Sequence, residues 1–109
     1  MPLLHIQEQD ELEKVLKQSG RKLVVVCFTS GHCGPCKTTT PRIELMSQQM
    51  PDVVFVFIDV KKADEFVERY EIVGVPTFCF FRNMCQLYRF QGGNADFLCS
   101  KVEELRFQI

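Results

Sequence analysis

Residues 22 to 37 read KLVVVCFTSGHCGPCK, and this stretch decides the fold. Leu23 to Thr29 is an unbroken, largely β-branched run, the pattern of a strand covered on both faces. Ser30-Gly31 turns the chain, and a helix is expected to open near Cys33 to Pro35 and run to about Gln49. Ile43, Met46 and Met50 keep its apolar stripe, and Pro41 should kink it. Cys33-Gly34-Pro35-Cys36 therefore lies where a buried strand hands over to a helix. A helix N-terminus carries unpaired backbone N–H groups and the positive end of the macrodipole, and both favour a thiolate at Cys33. Only the thiolate attacks disulfides. The two-residue spacer keeps Cys36 close enough to attack the mixed disulfide formed at Cys33. Gly34 permits the tight turn, and Pro35 suits an early helical position, where its missing N–H costs little.

Outward from this stretch, the elements alternate. Leu3 to Ile6 is a short strand, and Glu8 to Ser19 places Leu12, Val15, Leu16 and Ser19 on one helical face before Gly20 stops it. Val53 to Asp59 reads as the second central strand, and Ala63 to Tyr70 as a helix. Thr77 to Arg82 and Gln86 to Gln91 read as strands joined through Asn83-Met84-Cys85, a hairpin. Ala95 to about Phe107 is a last helix that packs through Leu98, Val102 and Leu105. The order is β-α-β-α-β-α-β-β-α: α/β, with a central mixed sheet flanked by helices and an antiparallel edge. One domain over residues 1–109 is expected from the length.

With 46% hydrophobic and 25% charged residues the chain can build a core. Thirteen Lys plus Arg against fourteen Asp plus Glu leave a net charge of -1, and no basic run exceeds Lys61-Lys62. Nucleic acid and anionic membrane surfaces are therefore not expected partners. The longest apolar runs, Leu23 to Phe28 and Val53 to Ile58, fall far short of the roughly 20 residues that cross a bilayer. The opening MPLLHIQEQDEL has no basic n-region, so no secretory signal is expected. Three of the six cysteines lie in strand-like or amphipathic runs (Cys27, Cys79, Cys99), which favours a reducing compartment with one specialised pair over a disulfide scaffold. A metal site would want four ligands, and neither a second C-x-x-C nor paired histidines accompany the first, so no metal is expected.

CGPC after a strand, FIDV at Phe57 to Val60, Val75-Pro76-Thr77-Phe78, and Phe90-Gln91-Gly92-Gly93-Asn94 together resemble the thioredoxin family, in its eukaryotic cytosolic branch. The resemblance implies the thioredoxin fold, a cytoplasmic place, and reduction of protein disulfides by dithiol exchange, with Cys33 as nucleophile and Cys36 as resolving thiol. It also implies no bound cofactor: electrons would come from NADPH through a thioredoxin reductase, with protein disulfides as the other partners and a monomer as the working form. Pro76 would be cis and face the cysteines, which the residues alone would not suggest. Gly74, Val75, Pro76 and Thr77, with Gly92 and Gly93, would form the substrate groove, the Val75 backbone pairing with an extended segment. Lys37 would lend positive charge. Thioredoxins themselves typify a C-x-x-C thiol of pKa about 7. Taken over rather than derived, that value raises the thiolate fraction at neutral pH roughly 16-fold, and weaker nucleophilicity leaves a gain of roughly threefold.

Three departures stand out. Cys27 replaces the family's buried aspartate, thought to help deprotonate the resolving cysteine, and Thr40 stands where a lysine is common. Cys27 is neutral and apolar, so resolution is expected to slow, and a thiol-trapping or redox-sensing module becomes the alternative. His32 replaces the tryptophan before CGPC; as an imidazolium it would stabilise the Cys33 thiolate, and as an exposed loop residue it would do nothing. Cys79 is expected in the core and Cys99 partly covered. Cys85, in the hairpin, is the candidate for oxidative dimerisation or glutathionylation. Asp59 ends a central strand.

Overall fold

The protein is described here by a computed structural model covering residues 3–107, so Met1 and Pro2 of the opening stretch lie outside the described residues. Its elements are β1 (Leu3–His5), α1 (Gln9–Ser19), β2 (Leu23–Thr29), α2 (Cys36–Gln49), β3 (Val53–Asp59), α3 (Glu65–Arg69), β4 (Thr77–Arg82), β5 (Cys85–Gln91) and α4 (Ala95–Arg106). The order is the one expected from the sequence. The five strands form one sheet, β1-β3-β2-β4-β5. β1 and β2 run parallel to β3, whereas β4 is antiparallel to β2 and β5 to β4.

β2 lies at the centre of the sheet, and its first six residues are buried, as a strand covered on both faces requires. Its odd-numbered residues Leu23, Val25 and Cys27 join Val53, Phe55 and Phe57 of β3 under Ile43 and Met46 of α2 and Leu98 and Val102 of α4. The even-numbered Val24, Val26 and Phe28 pack on the other face with Leu12 and Leu16 of α1 and Phe66 of α3. Each fully buried phenylalanine of this sandwich contributes about 1.5–3 kcal/mol through area removed from water. The result is a helix layer on each side of a sheet whose central strand leads directly into the CGPC segment.

Several boundaries differ from expectation. α2 begins at Cys36 rather than between Cys33 and Pro35, because Gly34 and Pro35 form a turn whose carbonyls accept from the N–H groups of Lys37 (3.1 Å) and Thr38 (3.2 Å). Pro35 is the N-cap residue. The helix continues through Pro41, at the cost of the bond that residue 41 would donate to the Lys37 carbonyl. α3 is shorter than Ala63 to Tyr70. Asn83 and Met84 alone make the hairpin turn, at φ of 51° and 67°, so Cys85 belongs to β5 and pairs with Arg82. Left-handed φ at both central residues matches the twist of a two-residue hairpin.

Candidate active site

Cys33 and Cys36 are joined by a disulfide, with sulfurs 2.11 Å and Cα atoms 5.2 Å apart. The Cys36 N–H, first of α2, donates to Cys33 Sγ at 3.1 Å. No acidic residue lies in the first turn of this helix, and the exposed Lys37 adds a positive charge there. When the bond is reduced, an anion at Cys33 therefore meets a backbone donor and an uncompensated helix N-terminus, the two features that stabilise a thiolate. Both cysteines are largely covered, at 6% and 5% exposure, and open onto a hollow of about 290 Å³ walled by Ser30, Gly31, Lys37, Thr40 and Pro41.

Two further segments converge on this end of the sheet. The Val75–Pro76 peptide bond is cis, as the resemblance implied. Thr77 lies opposite Phe28, which places Pro76 where β2 runs out toward the cysteines. Thr77 Oγ1 donates to the Gly74 carbonyl at 2.6 Å, closing the turn before β4. Gly92, at φ +128°, donates its N–H to the Pro76 carbonyl at 3.0 Å. Gly93 touches Pro35 so closely that an added Cβ would lie 2.9 Å from the proline Cβ and 3.0 Å from its carbonyl oxygen. The Gly92-Gly93 loop thus ties the cis-proline loop to the CGPC turn. Gly74 approaches the Gln91 side-chain amide, a contact with no local signal in the sequence. Val73, beside this surface, is 86% exposed.

His32 is exposed, and its backbone N–H donates to Ser30 Oγ at 3.3 Å; among the described residues it makes no ion pair. Cys27 is fully buried, and burial drives its thiol pKa far above the ordinary value, so it stays protonated at any physiological pH. It packs between the Phe57 and Phe78 positions of the neighbouring strands. Cys79 is also buried, but β-pleat alternation puts it on the opposite face; burial pushes its thiol up to about 11. Cys85 is exposed and Cys99 half-buried, where it accepts from an Arg42 guanidinium nitrogen at 3.1 Å. Among the described residues no cluster of three His, Cys, Asp or Glu side chains is placed to hold a metal ion.

The two buried thiols make stability fall in alkali. A thiol whose folded pKa is raised keeps its proton when the unfolded chain has released it. Its contribution is therefore complete below the ordinary value of 9.0 and is lost as pH rises from there toward the folded value, about 11 for Cys79. Each such thiol costs up to about 1.4 kcal/mol per pH unit in that window. Urea unfolding at pH 9, 10 and 11 should give a shallower decline for Cys79→Ala than for the parent; superimposable slopes would contradict the assignment.

Residues 3–104 match the family model described as Thioredoxin. The chain is 35% identical over 100 residues to a thioredoxin of Geodia cydonium, covering 91% of this chain and 94% of that protein. It superposes on the crystal structure of a poplar thioredoxin h with a TM-score of 0.92 at 27% identity, over 100% of both chains. It also matches thioredoxin domain-containing protein 2 of Rattus norvegicus, 34% identical over 101 residues, 93% of this chain, and there it spans only 18% of the longer protein. The mixed sheet carries a disulfide at the mouth of α2, tied through Gly92 and Gly93 to a cis-proline loop. The chain belongs to the thioredoxin family.

Proposed function

We propose that this chain is a thiol-disulfide oxidoreductase that reduces disulfides in other proteins. The observation that carries this reading is the Cys33–Cys36 pair at the N-terminus of α2, with the Cys36 N–H already directed at Cys33 Sγ. Cys33 attacks as the thiolate, Cys36 resolves the mixed disulfide, and a thioredoxin reductase drawing on NADPH restores the dithiol. Gly34 and Pro35 shape the turn, and Lys37 and His32 border it. Gly74, Val75, Pro76 and Thr77, with Gly92 and Gly93, form the groove in which an extended segment of the partner lies against the Val75 backbone. The chain works as a monomer in the cytoplasm, and exposed Cys85 is the thiol through which oxidation would join two copies or attach glutathione. No helix among the described residues is long and apolar enough to cross a membrane.

One observation favours a second reading. A neutral, sealed Cys27 cannot supply the carboxylate that would speed resolution, so the chain would hold its partners covalently and act as a trap or sensor. NADPH consumption with a thioredoxin reductase and a protein disulfide separates the two. Sustained consumption proportional to the amount of this protein is expected for the reductase. Negligible consumption with accumulation of a covalent complex would overturn it in favour of the trap.

A further inference from the structure

Behind the CGPC turn lies a second hollow, of about 370 Å³, lined among others by His5, Thr40, Glu44, Phe57, Asp59 and Lys62. Ser30, Gly31 and Thr40 wall both this hollow and the one that holds the cysteines, so the two adjoin across these three residues. Thr40 stands four residues after Cys36 on α2, one turn along the same face. Asp59 pairs with Thr29 as Phe57 pairs with Cys27. Alternation then places its side chain on the sheet face that bears Cys27 and packs under α2, one pleat further toward solvent. We propose that Asp59 accepts the proton of Cys36 during resolution, relayed through the hydroxyls of Thr40 and Ser30 and solvent in the hollow. Asp59 thereby does from the end of β3 what Cys27 cannot do from β2.

Asp59 is half-buried, and one of its oxygens, Oδ1, is fixed by the Lys61 N–H at 2.9 Å, while Oδ2 has no hydrogen bond among the described residues. The other charged groups facing this space fit the role less well. Glu44 is exposed on α2, and Lys37 and Lys62 are exposed ammonium groups with no free lone pair to take a proton. His5 is exposed and stacked on Phe57, 5.4 Å between ring centres. The Cys36 S–H bond breaks and its proton passes to the Asp59 carboxylate; the sulfur attacks Cys33 Sγ; the bond from Cys33 to the partner's sulfur breaks. The partner leaves as a thiolate reduced by two electrons, the Cys33–Cys36 pair is oxidised, and Asp59 returns the proton to solvent. A hydroxyl that accepts one proton while giving another suits the relay.

This inference rests on the dithiol reading, and one experiment tells their failures apart. Reduced protein carrying Cys85→Ser and Cys99→Ser is mixed with 5,5′-dithiobis(2-nitrobenzoate), whose coloured thiolate is released once on attack by Cys33 and again on resolution by Cys36. In Asp59→Asn, whose amide oxygen still accepts from Lys61, the first phase should be unchanged. The second should slow by about 100-fold at pH 7, the low end of general-base effects. Asp59→Glu should recover much of it, and Glu44→Gln, which removes the same charge from the same hollow, should not slow it. A second phase in Asp59→Asn within threefold of the parent, or an equal slowing by Glu44→Gln, overturns the proposal. Should Asp59→Asn fail to fold, the parent decides: a second phase flat between pH 6 and 8 supports a carboxylate acceptor, and a tenfold rise per unit overturns it. Release of only one equivalent by the parent would instead overturn the dithiol reading itself.

Discussion

Cys36→Ser should reduce steady-state disulfide reduction by at least on the order of 10³-fold while leaving the attack by Cys33 intact. In the intact protein the two sulfurs are within bonding distance, so the second displacement is intramolecular and needs no diffusional encounter. A serine hydroxyl at the same place does not attack a disulfide, and release of the partner then waits for a thiol from solution. The nearest substitute thiol on the central strand, Cys27, is sealed and protonated. The mixed disulfide at Cys33 should therefore accumulate, read as a mass increment equal to the partner on intact-protein mass spectrometry and abolished by dithiothreitol. Cys33→Ser should give neither turnover nor adduct. Retained turnover in Cys36→Ser would mean that resolution is intermolecular and that the pairing with Cys33 is incidental to the reaction.

The parts of this site that were legible in the sequence are those whose cause is local. The β2 run, the Ser30-Gly31 turn and the paired cysteines lie within sixteen consecutive residues, and strand burial and helix polarity follow from residue type and order. The helix starts one to three residues later than the sequence predicts because Gly34 and Pro35 are equally at home in a first turn and in the turn before it; only their hydrogen bonds to Lys37 and Thr38 decide. The hairpin turn is one residue shorter than the sequence predicts, because Asn83-Met84 lacks the glycine that usually marks a two-residue turn. The cis bond before Pro76 was legible only through family resemblance. Contacts between distant segments left no local trace: Gly93 against Pro35, Gly74 against Gln91, and Asp59 sharing a hollow with Thr40. For Asp59 a signal existed, since its parity with Phe57 fixes its face once the strand is known, but its depth depends on the helix that covers it.

Cys27→Asp should trade stability for speed. The position is fully buried in an apolar cluster with Phe57, Phe78 and the α2 residues Ile43 and Met46. A neutral carboxyl there costs about 1–3 kcal/mol. Burial also raises its pKa, so the unfolded chain ionises first. Stability is then greatest below the ordinary carboxyl value of about 4 and falls above it by up to about 1.4 kcal/mol per pH unit. The variant should unfold at markedly lower urea than the parent at pH 7 and approach it near pH 4, a fall with rising pH of the same sign as that expected from Cys79 but in the acid and neutral range. Its resolution phase should nevertheless quicken, because a carboxylate at this place adds a second proton acceptor on the sheet face under α2. The gain should be modest in the parent background, where Asp59 already takes the proton, and larger in Asp59→Asn, where the new carboxylate is the only acceptor. Equal acceleration in both backgrounds would show that the two carboxylates act independently, and no acceleration in either would place the slow event of resolution in the motion of sulfur rather than in the loss of a proton.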